Sequence, residues 1–253
     1  MRLVRSEIRD GVAVVTLDDP RRRNALSLAM AESLAEEVRG LESSDEVGAM
    51  VVTGAPPAFS AGADLDDLER ADRDRLRRIY DGFLAVARFP LPTIAAVNGP
   101  AVGAGINLAL ACDVRVAGRS ARFESRFLDL ALHPGGGHTW MLQRILGPQG
   151  ATALALCGES LDGEAAVRHG LAWTCVGDDA LLDEALRLAV RVTAAPRALV
   201  RELKKTMRAT SVLPYHGEAV ERELKPQLWS ARQPEFRERV AELKRRITRR
   251  RER

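Results

Sequence analysis

Apolar residues in the first half of the chain switch between strand-like and helix-like spacing. Residues 2–9 and 12–17 read as strands, and Asp10-Gly11 between them is a hairpin turn signal. A polar, proline-containing loop covers 18–24. Behind it Met30, Leu34, Val38 and Leu41 recur at helical spacing, with Ser27 placed to cap the helix start. Residues 47–53 form a short apolar run with β-branched members, hence a strand, and 54–63 a loop. Leu76, Ile79, Tyr80, Phe83, Leu84 and Ala87 give a second helix, which Pro90 stops. Residues 94–97 return to strand, 103–111 to helix and 112–117 to strand. Strand alternating with helix, with strands too apolar to alternate cleanly, is the α/β signature.

Beyond about residue 178 the pattern is helical throughout. Leu182, Ala185, Leu186 and Ala189 share one face. Pro196 suits a helix start and is followed by Leu199, Val200, Leu203 and Met207. Pro226 predicts a break or kink in the next helix. Phe236, Val240, Leu243 and Ile247 make a last stripe, and the closing KRRITRRRER reads as a solvated basic tail. The pattern divides the chain into an α/β body, 1–194, and a helical appendage, 195–253. The terminal stripes are too thin for a core of their own and call for cover by the body, another subunit or both.

The 253 residues suffice for a sizeable core. A formal charge of +3 and 4% aromatics give no footing for nucleic acid. Cys112, Cys157 and Cys175 are odd in number and without CxxC spacing, so buried reduced thiols are expected, not metal ligands or disulfides. Charges interrupt the opening MRLVRSEIRDGVAVV, which excludes a signal-peptide pattern, and no apolar run reaches membrane length. The expectation is a cytoplasmic chain without a membrane partner.

Candidate chemistry centres on VNGPAVGAGINLALACDV, residues 97–114, where a strand enters a glycine turn and a helix leaves it. No Lys follows for a phosphate loop. Gly103 and Gly105 begin a dinucleotide fingerprint with Glu124 about where a ribose acid belongs, but Leu108 takes the third glycine position. HPGGGH, residues 133–138, is like the glycine-rich oxyanion stretch of lipases, yet no G-x-S-x-G accompanies it. His133 and His138 lack zinc-site spacing. A second strand–glycine loop–helix unit, VVTGAPPAFSAGADL at 51–65, changes the picture. Two such loops can aim two backbone N–H groups at one oxygen and so form an oxyanion hole.

FSAGADL, IAAVNGPAVGAGINLALACDVRVA and the earlier RRRNALS, in this order and spacing, resemble the enoyl-CoA hydratase/isomerase family, the crotonases. The likeness runs from about residue 8 to GLAWTCV at 170–176. It implies a crotonase-like spiral of ββα units with a C-terminal helical trimerisation region, and a homotrimer or dimer of trimers. It implies that 1–194 binds an acyl-CoA, with no cofactor beyond coenzyme A as part of the substrate, in fatty-acid metabolism. By the resemblance the thioester carbonyl sits between the amides of Ala61 and Ala104. Coenzyme A contacts fall on Arg22, Arg23, Ala25, Ala63, Asp64 and Leu65. A basic residue of the last helix, Lys244 or Arg245, reaches the coenzyme phosphates from a neighbouring subunit.

The family's two glutamates fall at Asn107 and Phe127, and neither can ionise. Acid–base work would therefore move to Glu124, Asp129, His133 or His138, of which Asp129 and His133 border the acyl pocket by the resemblance. Phe127, Leu128, Leu132, Trp140 and Met141 are candidate pocket walls. Three readings follow: an acyl-CoA hydratase, isomerase or hydrolase with relocated acid–base groups, a non-catalytic acyl-CoA carrier, or a dinucleotide-binding protein.

Overall fold

The computed structural model describes residues 2–251. The chain divides into two compact units, 1–193 and 194–253; the sequence pattern places this boundary one residue later.

In the first unit β1 (Val4–Arg9) and β2 (Val12–Leu17) precede α1 (Leu28–Ser43), and β3 (Ala49–Gly54) precedes α2 (Leu65–Glu69) and α3 (Arg73–Arg88). Next come β4 (Thr93–Val97), β5 (Pro100–Val102) and α4 (Ala104–Ala111), then β6 (Val114–Gly118) and β7 (Arg122–Glu124). The unit closes with α5 (His138–Ala155), β8 (Ser160–Asp162), α6 (Gly163–Arg168), β9 (Thr174–Val176) and α7 (Leu181–Thr193). The helix α5 is interrupted at Gly147.

Six strands form one sheet in the order β1-β2-β3-β4-β6-β9, and β5-β7-β8 form a smaller second sheet. Only β1 runs antiparallel in the large sheet. Asp10 and Gly11 both take positive φ, 49° and 77°, as a tight hairpin turn requires. Every residue of β2 and β4 is buried, because helices and the second layer cover both faces of a parallel sheet. The core on one face joins Val12, Val51, Ile94 and Val116 to Leu181, Ala185 and Ala189 of α7. Ser27 caps α1 by accepting from the Met30 N–H at 3.2 Å.

The second unit comprises α8 (Arg197–Thr210), α9 (His216–Ala231) and α10 (Pro234–Arg251). Contrary to the expected break, α9 continues through Pro226. Proline forfeits one N–H bond there, but its fixed φ is helical. Most of the basic run joins α10, and its last two residues lie outside the described residues.

Candidate active site

A cavity of about 510 Å3 opens in the first unit, lined by the 61–65 loop, the start of α4, the 126–135 segment and residues of α3. Backbone bonding decides which amides are free to face it. Ser60 pairs in parallel with Ala101: its N–H donates to Pro100 O at 3.1 Å and its carbonyl accepts from Val102 N at 3.0 Å. The Ala61 N–H donates to Arg23 O at 2.9 Å. The Gly62 N–H donates to Ser60 Oγ at 3.3 Å.

Leu26 then bridges Ala63 in parallel, bonding the residues on either side of it: Leu26 N donates to Gly62 O at 2.7 Å and Leu26 O accepts from Asp64 N at 3.4 Å. In a parallel bridge the residue thus straddled turns its own N–H the other way. Among the described residues the Ala63 amide has no hydrogen-bond partner, and Ala63 lines the cavity. Ala104 is the first residue of α4, where an amide has no partner within its helix, and it lines the same cavity. Gly103 takes φ +50°, turning the strand abruptly into the helix, and its own N–H donates to Glu124 O at 2.9 Å. Two free amides, Ala63 and Ala104, therefore border one space. Ala61 is not one of them, because its proton is already bonded.

Glycine is required between these loops. A side chain at Gly105 would meet the Ser60 carbonyl at 2.5 Å, and one at Gly62 the Val102 carbonyl at 2.7 Å. Gly105 thus serves close contact between the two protein loops.

Asn107 lines the cavity but is almost wholly buried, and its amide is fixed at both ends. Its Nδ2 donates to Gly135 O at 3.0 Å, and its Oδ1 lies 2.7 Å from His138 Nδ1. An amide oxygen only accepts, so His138 carries its proton on Nδ1. His138 Nε2 then accepts from the Ser125 hydroxyl at 2.7 Å. Burial pushes the His138 imidazole down to about 4, so it is neutral at pH 7. The connectivity Ser–His–Asn is that of a nucleophilic triad, but neither Ser125 nor His138 lines the cavity. This array orders Asn107; it does not attack. The Phe127 ring meets His138 edge-on with centroids 4.9 Å apart and also lines the cavity.

The HPGGGH stretch is a cradle for side chains, not an oxyanion loop. A methyl at Gly135 would overlap the Tyr80 hydroxyl. One at Gly136 would meet Phe83 at 2.5 Å and the Asn107 amide at 3.2 Å. Gly137 takes φ +86° to open α5.

Of the other expected residues, Arg22, Ala25, Asp64, Leu65, Leu132 and His133 line the cavity. Arg22 donates to Asp19 at 2.9 Å and Asp64 at 3.4 Å, contacts that raise its pKa. Asp64 also caps α2 through the Asp67 N–H. Arg23 contributes its carbonyl to Ala61 and does not line the cavity. Asp129 sits exposed on a single turn and is absent from the lining, as is Glu124, which pairs with Arg126 at 2.7 Å. Leu128, Trp140 and Met141 are likewise outside it. Lys244 lies on α10, in the second unit. Tyr80 lines the cavity, and the sequence offered it only as one more member of an apolar stripe. Among the described residues no group of three or more His, Cys, Asp or Glu is placed to hold a metal, and no helix is long and apolar enough to cross a membrane.

Residues 7–240 match the enoyl-CoA hydratase/isomerase family. The "Probable enoyl-CoA hydratase EchA14" of Mycobacterium tuberculosis is 52% identical over 239 residues, covering 91% of this chain and 93% of that protein. The 1,2-epoxyphenylacetyl-CoA isomerase of Escherichia coli is 37% identical over 204 residues, 78% of each chain. The crystal structure of an enoyl-CoA hydratase from Bacillus anthracis superposes with a TM-score of 0.89 at 26% identity, covering 96% of both chains. The chain belongs to the enoyl-CoA hydratase/isomerase family and has the crotonase fold, an α/β body with a helical C-terminal region.

Proposed function

We propose that the cavity binds an acyl-CoA and holds its thioester carbonyl oxygen between the amides of Ala63 and Ala104. The substrate on this reading is a 2-enoyl thioester, hydrated or isomerised through an enolate that the two amides stabilise. The observation that carries it is the pair of unspent amides, delivered by two separate loops to one space. One donor of such a pair is worth about 2.7–4 kcal/mol in the transition state. Arg22 and Arg126 at the same cavity supply positive charge for the coenzyme phosphates. The names of the relatives, hydratases and an isomerase of CoA thioesters, agree in substrate class. The reading calls on no cofactor beyond coenzyme A itself.

A second reading, a non-catalytic acyl-CoA carrier, is favoured by one observation: both glutamate positions hold residues that cannot ionise, and the one at 107 is locked by hydrogen bonds. Purified protein with crotonyl-CoA separates the two. Thermal stabilisation together with loss of the conjugated thioester absorbance supports the enzyme. Stabilisation without turnover of crotonyl-CoA or a 3-enoyl isomer selects the carrier. No stabilisation by any CoA ester rejects both.

A further inference from the structure

Asn107 and Phe127 leave the reaction without its family acid and base, so other groups on the cavity must give and take the proton. Its lining holds six ionisable side chains: Arg22, Asp64, Asp66, Tyr80, Arg126 and His133. Arg22 and Asp64 are paired with each other, and Arg126 with Glu124. Asp66 stands in the first turn of α2, on the 61–66 side of the cavity with Arg22 and Asp64. Tyr80 and His133 are the two that stand at the 133–135 turn, which Asn107 holds.

The Tyr80 hydroxyl abuts Gly135, the residue whose carbonyl accepts from the Asn107 amide. Tyr80 and Asn107 therefore meet at one backbone position. The hydroxyl makes no hydrogen bond among the described residues, and burial raises its pKa, so it keeps its proton at neutral pH. The ring is held by Phe83 at a centroid distance of 5.8 Å. His133 donates from Nδ1 to Pro134 O at 2.7 Å. A carbonyl cannot donate, so Nδ1 carries a proton, which leaves Nε2 as the nitrogen for base chemistry.

On the reading that an acyl-CoA thioester occupies this cavity, we propose that the Tyr80 hydroxyl is the proton donor to the α-carbon and His133 Nε2 the base that activates water. Water oxygen bonds to the β-carbon while His133 Nε2 takes one of its protons. The electron pair of the carbon–carbon double bond moves to the thioester and forms the enolate at Ala63 and Ala104. The enolate collapses by taking the Tyr80 proton at the α-carbon, which leaves a phenolate. The imidazolium proton returns to that phenolate through solvent, so the net change is addition of one water.

The test uses the full chain and crotonyl-CoA. Tyr80→Phe keeps the ring and should lower kcat by about 10²–10⁴-fold, with the thermal stabilisation by crotonyl-CoA retained. His133→Gln should do the same and remove the acid limb of the kcat/KM profile. Fluorotyrosine at position 80 keeps the shape but acidifies the phenol, and should move the alkaline limb to lower pH, which a packing role would not. Retention of more than half the kcat in either variant, or an unmoved alkaline limb, overturns the assignment. A parent protein stabilised by crotonyl-CoA but inert overturns it while leaving the carrier reading, and absence of stabilisation overturns the acyl-CoA reading as well.

Discussion

His138 is buried between an amide oxygen that can only accept and a hydroxyl that can donate, and this combination defines its charge. Its imidazole stays neutral down to about pH 4, whereas in the unfolded chain it takes a proton below about pH 6.5. Between these values the unfolded state binds the extra proton, so folding stability falls as pH falls. The loss is about 1.4 kcal/mol per pH unit across that window, and none accrues above it. Urea unfolding of the parent protein and of His138→Gln should therefore diverge with pH: the parent's advantage is full above pH 6.5 and narrows towards pH 4. A difference that stays constant over this range would show that His138 is not held neutral. At this scale the sequence was a partial guide. It offered both histidines and preferred His133, together with Asp129, over His138. Only the contacts with Asn107 and Ser125 show that one orders the site while the other lines it.

At the scale of elements, the start of α4 does the decisive work. Gly103 bends the chain so that the first helical residue, Ala104, presents an amide with no intrahelical partner. Proline is well suited to this first position, since its φ fits and the N–H it lacks is an orphan anyway. Ala104→Pro should therefore delete one proposed donor at little structural cost. The expected result is a kcat for crotonyl-CoA lower by about 10²–10³-fold with the melting temperature nearly unchanged. An unchanged kcat in the folded variant would show that no charge develops at that amide. The longer elements were legible in the chain because their apolar residues recur often enough to show a period. The second sheet was not: β5, β7 and β8 have three residues each, too few for alternation to appear. The choice of amide was hidden for a related reason. FSAGADL shows a loop, but whether Ala61 or Ala63 is free depends on the register with Arg23 and Leu26, which are distant in sequence.

On the scale of the whole molecule, the open question is what the helices α8, α9 and α10 meet. Leu203, Met207, Leu224, Leu228, Phe236 and Leu243 remain exposed on them, apolar side chains that a partner surface could cover. The family resemblance supplies a candidate, two further copies of this chain, and with it a task for Lys244 on α10: contact with the coenzyme phosphates bound by a neighbour. Light scattering should then give three or six chain masses, and Leu203→Asp with Met207→Asp should lower that mass. A phosphate contact far from the reacting carbons binds ground state and transition state alike, so its loss raises KM and leaves kcat alone. Lys244→Glu should show this pattern with crotonyl-CoA while the oligomer stays intact. A fall in kcat at unchanged KM would place the defect at the thioester instead. A parent protein that is monomeric and fully active would remove the neighbour's lysine from the site, and the exposed helices would then need another partner.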